Sequence, residues 1–117
     1  MTEQTKMAAT AYAALEEKKG QDIRIIQISE ISVMADYFII ASAGSTPQVQ
    51  ALMNNVEEKM HEQGYALKRI EGTKNSSWVL MDFGDVVVHI FDMEDRLFYD
   101  LERIWSDGKI IDPAELQ

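Results

Sequence analysis

The spacing of apolar residues divides the chain into segments of helical and extended period. In residues 2–18, four apolar side chains recur at helical spacing: Met7, Ala11, Tyr12 and Leu15. Lys18 and Lys19 place positive charge at the last turn, and Gly20 is expected to end the helix in a left-handed conformation. The pattern predicts a first helix over this segment.

Two runs rich in β-branched and aromatic residues follow. They read IRIIQI at residues 23–28 and DYFIIAS at residues 36–42. Such side chains favour an extended backbone, so both runs are predicted to be strands. The stretch between them has no regular period and predicts neither a helix nor a strand.

A second helix is predicted to begin near residue 45. Two alternatives for the N-cap are open. Either Ser45 caps the helix and Gln48, three residues later, completes a capping box, or Thr46 caps it with Pro47 at the first helical position. Five apolar residues then form one continuous stripe: Val49, Leu52, Met53, Val56 and Met60. Gly64 is expected to end the helix, and the stripe is interpreted as core rather than as a cofactor site.

The rest of the chain predicts three strands and a last helix. YALKRI at residues 65–70 is interpreted as a half-exposed strand, and WVLMDFGDVVVHIF at residues 78–91 as a hairpin. Asp92 can cap a helix that ends at residues 106–108, which leaves a short tail. The order α-β-β-α-β-β-β-α predicts an α/β fold, a mixed sheet of about five strands with helices packed on it.

The hairpin has apolar residues on both faces. If Gly84 and Asp85 form a two-residue loop, one face carries Val79, Met81, Phe83, Val86, Val88 and Ile90, and is core. The other face carries Trp78, Leu80, Asp82, Val87, His89 and Phe91. Two interpretations are open. Either a helix covers this second face too, or its rim near Trp78 and Leu80 is left for a protein partner.

Composition restricts the classes of function. The 117 residues are expected to form one domain, residues 1–117, and contain no cysteine, which fits a reducing compartment. No run is long enough to span a membrane and the N-terminus has no targeting pattern, so a cytoplasmic location is expected. The 20 acidic and 11 basic residues give a net charge of −9, which disfavours nucleic acid and favours a basic protein as partner.

Catalytic and metal-binding patterns are weak. Gly44 and Ser45 open a helix whose N–H groups could hold a phosphate, as in nucleotidyltransferases, but Asp36, Asp82 and Asp85 are not paired on alternate residues of one strand. Two histidines without cysteine do not make a zinc site, and His89 is interpreted as a strand residue with a satisfied ring. No metal, cofactor or catalytic residue is therefore expected.

Several motifs together resemble one family. DYFIIASAGST, then EG followed by WVLMDFGDVVVHIF, then RLFYDLERIW occur in this order and spacing. The sequence is similar to the Iojap-related family of ribosomal silencing factors. The resemblance implies a nucleotidyltransferase-like fold without its catalytic apparatus, usually dimeric. It also implies binding to the large ribosomal subunit through its ribosomal protein fourteen, which blocks joining of the small subunit and lowers translation when nutrients are short.

The sequence thus predicts a non-enzymatic, ribosome-binding protein. Trp78 and Leu80 are the predicted anchors of the partner, and Glu71, Asp82 and Asp85 are the acids expected to meet its positive charge. Two other hypotheses stay open: a degenerate nucleotide-binding regulator, and a dimeric scaffold whose second face is its own dimer interface.

Overall fold

The computed structural model describes residues 3–28, 36–72, 78–92 and 109–111. The elements in this part are α1 (Glu3–Glu17), β1 (Gln21–Gln27), β2 (Tyr37–Ala43), α2 (Thr46–Glu62), β3 (Arg69–Glu71), β4 (Trp78–Asp82), β5 (Val86–Asp92) and β6 (Lys109–Ile111). The strands form one sheet in the order β3-β4-β5-β2-β1-β6. Strands β2 and β5 are parallel and the other neighbours are antiparallel, so the predicted mixed α/β sheet is confirmed.

The sheet differs from the prediction at both edges. Within the part of the chain that the structure describes, it has six strands rather than about five, because residues 109–111 of the predicted tail pair with β1. Strand β3 begins at Arg69 instead of residue 65. Tyr65 and Leu67, which precede it, pack against the core without joining the ladder. The predicted last helix lies largely outside the described residues, and Asp92, its predicted cap, is the last residue of β5.

Helix α1 ends one residue earlier than the glycine pattern predicts. The left-handed residue is Lys19, with φ +63°, and not Gly20. The N–H groups of Lys19 and Gly20 donate to the carbonyls of Glu16 and Leu15, at 3.0 and 2.8 Å. This is the Schellman arrangement, with Gly20 one place beyond the left-handed residue. A Cβ at Gly20 would lie 3.0 Å from the Leu15 carbonyl oxygen, so the glycine permits close approach.

The start of α2 settles the two open caps in favour of Ser45. Its Oγ accepts from the N–H of Gln48 at 3.3 Å, and its backbone is extended. The Gln48 side chain accepts from the N–H of Gly44 at 2.7 Å and donates to the carbonyl of Lys19 at 3.2 Å. Gln48 therefore ties the helix start to the end of α1.

Helices α1 and α2 pack on the same face of the sheet. Their apolar stripes meet strand residues that are almost fully buried, including Ile39, Val79, Met81, Val88 and Ile90. We call this side the helix-covered face. Asn55 is a buried polar residue of α2 that apolar periodicity could not reveal. Its Nδ2 donates to the carbonyl of Ala14 at 2.8 Å, which joins the two helices.

The predicted hairpin register is confirmed. Val79 pairs with Ile90 and Met81 with Val88, and the N–H of Phe83 donates to the carbonyl of Val86 at 2.9 Å. Gly84 has φ +93°, which suits the two-residue turn. The alternating residues, beginning with Trp78, therefore lie on the opposite side of the sheet.

Candidate functional site

The side of the sheet away from α1 and α2 carries the predicted partner-binding residues. We call it the second face, and its hairpin members are Trp78, Leu80, Asp82, Val87, His89 and Phe91. Its burial is uneven. Ile40 and Phe91 near the sheet centre are fully buried, whereas Trp78 and Leu80 on β4 are only half-buried. Part of each β4 side chain is thus accessible to another molecule.

An aromatic cluster fixes the indole of Trp78. Trp78 is opposite Phe91 across the hairpin, and their rings are stacked with centroids 5.4 Å apart and planes 9° apart. The His89 ring, diagonal to Trp78, is 6.1 Å away at 19°. Trp78 Nε1–H donates to His89 Nδ1 at 3.3 Å. Stacking on one ring and bonding to another together restrain the indole.

His89 is a buried, neutral histidine with one unsatisfied nitrogen. Because Nδ1 accepts from Trp78, the proton of the neutral ring is on Nε2. Nε2 is buried and has no hydrogen-bond partner among the described residues. Burial lowers the pKa of His89 from 6.5 to about 4, so the ring is neutral at pH 7. The prediction of a satisfied ring is thus correct for one nitrogen only.

A small cavity opens beside Trp78 at the edge of the sheet. It has a volume of about 250 Å³ and is lined by Glu71, Gly72, Trp78 and Leu80. We call this cavity the notch. Gly72 has φ +110°, and a Cβ there would lie 2.7 Å from the Trp78 carbonyl oxygen. Only glycine lets the chain after β3 approach Trp78 this closely.

The structure groups three of the five predicted site residues. Glu71 pairs with Leu80 in the β3–β4 ladder and joins Trp78 at the notch. Asp82 is on the same face but at the other end of β4, where its Oδ1 accepts from the N–H of Gly84 at 2.7 Å. Asp85 Oδ2 accepts from Gln4 Nε2 of α1 at 3.4 Å. Asp85 therefore does not belong to the group around Trp78.

Sequence reasoning missed two contributors to this site. Gly72 enters the sequence prediction only through the EG pair that precedes the hairpin, and no pattern there connects His89 with Trp78. The hairpin register contained a signal for the second, since residues diagonal across a two-residue hairpin are within reach of long side chains. No local pattern reports the close approach at Gly72, which depends on how the chain after β3 meets β4.

The helix start at Gly44 and Ser45 has few free donors. The N–H of Gly44 is bound by the Gln48 side chain and the N–H of Gln48 by Ser45, while Pro47 has none. Asp36 lies at the opposite end of β2 from Gly44. Across residues 3–28, 36–72, 78–92 and 109–111, no group of three or more histidine or acidic side chains is placed to hold a metal ion. In the same residues, no helix has the length and hydropathy needed to cross a membrane.

Comparison with known proteins identifies the family to which this chain belongs. The α/β fold is shared with the crystal structure of a protein from Chromobacterium violaceum, with TM-score 0.87 and 37% identity over 90% of this chain and 88% of that one. The family described as "Ribosomal silencing factor during starvation" matches residues 1–117. The chain belongs to this family of translation regulators.

Two curated relatives support the assignment. Ribosomal silencing factor RsfS of Bacillus subtilis is 38% identical over 109 residues, which cover 93% of this chain and 92% of that protein. The mouse protein named mitochondrial assembly of ribosomal large subunit protein 1 is 31% identical over 97 residues, which cover 79% of this chain and 42% of that protein. The predicted resemblance to the Iojap-related family is therefore confirmed.

Proposed function

We propose that this chain is a ribosomal silencing factor that binds the large ribosomal subunit. It blocks joining of the small subunit and so represses translation when nutrients are limiting. Family membership supports the silencing role, and the name of the mouse relative supports the large subunit as partner. The observation that carries the proposal on this chain is the half-exposed pair Trp78 and Leu80 beside the Glu71 carboxylate.

The partner surface on the subunit is its ribosomal protein fourteen, as the family resemblance implies. A basic ribosomal protein suits a chain of net charge −9. The apolar contact is made by Trp78 and Leu80, because aromatic side chains at the centre of an interface contribute most to affinity. Charged residues around them, Glu71 first, set orientation and the rate of encounter.

Binding rather than catalysis is the proposed activity. The acids considered for a metal-dependent nucleotidyl transfer, Asp36, Asp82 and Asp85, lie at the hairpin-turn end of β2 and β5, where the N–H of Asp36 donates to the carbonyl of Asp85 at 2.8 Å. Gly44 and Ser45 lie at the other end of β2, and the donors at the start of α2 are mostly occupied. We further propose that the free protein is a cytoplasmic homodimer, as the resemblance implies. Turnover of a nucleoside triphosphate that needs magnesium and is lost in Asp36→Ala or Asp82→Ala would contradict the non-enzymatic proposal.

Sucrose-gradient sedimentation with purified subunits tests the proposed function. The chain is expected to move with the large subunit and not with the small one, and to reduce the peak of joined ribosomes when both are present. Glu62→Gln, on α2 across the sheet, is a control that is expected to behave like the parent. The proposal is wrong if the chain stays at the top of every gradient, or if it sediments with the large subunit and leaves joining unchanged.

A further inference from the structure

The notch beside Trp78 has the size of a site for one side chain. Its volume of about 250 Å³ is below the roughly 300–1,000 Å³ of most small-molecule pockets. A single long side chain of a partner fits a cavity of this size.

The walls of the notch combine three kinds of surface. Trp78 provides an indole ring, Leu80 an aliphatic side chain and Glu71 a carboxylate. A cation gains energy over an indole ring, and the carboxylate adds an opposite charge. The aliphatic wall suits the methylene stem that precedes the charge in a basic side chain. No anionic or purely apolar group would use all three walls.

We propose that the notch binds an arginine side chain of the ribosomal partner, with its guanidinium between the Trp78 indole and the Glu71 carboxylate. Arginine is favoured over lysine because its planar group both stacks on an aromatic ring and bonds a carboxylate through two N–H groups. This proposal rests on the proposed function, since it names the group that enters the site on the second face.

Glu71 can exchange its ion pair with Arg69 for another at little cost in free energy. Arg69 Nε lies 3.7 Å from Glu71 Oε1, and both side chains are 58% exposed. Exposed ion pairs of this kind contribute little to stability. Glu71 can therefore leave Arg69 for a guanidinium that is partly shielded from water in the notch, where the attraction is stronger.

His89 holds the indole wall in position. Its Nδ1 accepts from Trp78 Nε1, and Phe91 stacks on the same indole. The buried Nε2 has no partner in the described part of the chain, and such a group costs free energy that an apolar residue would avoid. This cost indicates that the other ring nitrogen, Nδ1, has a role as the acceptor for the Trp78 indole N–H. We assign His89 as a positioning residue for the notch.

Titration of the indole N–H resonance of Trp78 with arginine amide tests the notch. The resonance is identified by its absence in Trp78→Phe. Citrulline amide is the matched neutral ligand, because it keeps the shape of arginine without the charge. We expect saturable shifts with arginine amide, and binding of citrulline amide weaker by about 5- to 20-fold, since the cation–π and carboxylate contributions are both lost.

Two variants that change the net charge equally distinguish a specific contact in the notch from a general effect of negative charge. Glu71→Gln is expected to weaken arginine amide binding about 3-fold or more, whereas Glu62→Gln is expected to leave it unchanged. Glu62 is a fair control because it is also exposed and paired, with Lys59 at 3.8 Å. Equal shifts with citrulline amide, or equal effects of the two variants, would overturn the proposal.

A second pair of variants tests the role of His89. His89→Asn keeps an acceptor close to the place of Nδ1, and His89→Leu removes it. The Trp78 N–H resonance and arginine amide binding are expected to remain near the parent values in His89→Asn and to change in His89→Leu. If both variants bind as the parent does, His89 does not position the indole.

These measurements do not depend on the ribosome. If the chain fails to sediment with large subunits but its notch selects arginine amide, the proposed function is wrong and the proposal that the notch binds arginine is supported. If it sediments normally while Glu71→Gln and citrulline amide have no effect, the notch proposal is wrong and the proposed function stands.

Discussion

The two faces of this sheet differ although they are made from the same strands. Strand β5, which lies between β4 and β2, is buried on both faces from Val86 to Phe91. Strand β4 alternates, with Val79 and Met81 fully buried and Trp78, Leu80 and Asp82 half-buried. Its other neighbour is the three-residue edge strand β3. Side chains on the same face of adjacent strands therefore differ in burial, and residue type alone does not separate core from accessible surface.

The largest expected effect is on the helix-covered face. Ile90→Ala should reduce the free energy of unfolding by about 2–5 kcal/mol, because it removes a fully buried side chain and leaves a cavity under the helices. Leu80→Ala, on the second face of the adjacent strand, should cost much less. Chemical denaturation of both variants measures the contrast. Equal losses would mean that the two faces are equally covered.

Trp78→Ala should affect binding more than folding. We expect a loss of about 2–4 kcal/mol of binding to the large subunit, roughly 30- to 1,000-fold in affinity, if Trp78 is the anchor. The loss of stability should be smaller, since the side chain is half-buried. Affinity measured by sedimentation and melting temperature measured by calorimetry separate the two. A large drop in melting temperature with affinity unchanged would place Trp78 in the core.

The alternation of the hairpin could be predicted because it depends on local chemistry. A glycine-containing two-residue turn fixes the register, and the register fixes which side chains share a face. The same holds for the cap of α2, where Ser45 and Gln48 act within one turn. The half-burial of Trp78 agrees with its predicted place at the rim.

The features that escaped prediction depend on distant parts of the chain. Strand β6 is three residues long and is defined only by its pairing with β1. The left-handed residue of the α1 terminus is Lys19, and Gly20 one place further approaches the Leu15 carbonyl closely. The proximity of Gly72 to Trp78, and the separation of Asp85 from it, also follow from tertiary contacts. Local spacing contains no information on any of these.

The buried histidine of the second face predicts a dependence of stability on pH. The pKa of His89 falls from 6.5 to about 4 on folding, because burial disfavours the charged ring. Between these values the unfolded chain binds the proton and the folded chain does not, so stability falls as pH decreases from 6.5 to about 4. The full effect is roughly 3 kcal/mol, and it is absent above pH 6.5.

His89→Asn is the variant that isolates this contribution. It has no imidazole, so its stability should decrease less than that of the parent as the pH is lowered from 7 to 4. Carboxylates titrate in both proteins and cancel in the comparison. Urea denaturation at several pH values gives the difference. Parallel pH profiles would show that His89 is protonated equally easily in the folded and unfolded chains.

The smallest expected effect concerns two acids at the hairpin turn that face different sides. Asp82 lies on the second face, whereas Asp85 bonds Gln4 of α1. Asp82→Asn and Asp85→Asn change the net charge equally, and an amide oxygen at residue 82 can still accept from the N–H of Gly84. If partner approach is steered towards the second face, Asp82→Asn should slow association by about 2- to 3-fold and Asp85→Asn by less.

Dissociation rates should hardly change, because charges at the rim of an interface act on the rate of encounter. The difference should also shrink as salt shortens the Debye length below about 10 Å. Association rates measured across a salt series test this, and rates that are independent of salt and equal for both variants would show that charge on the second face does not guide the partner.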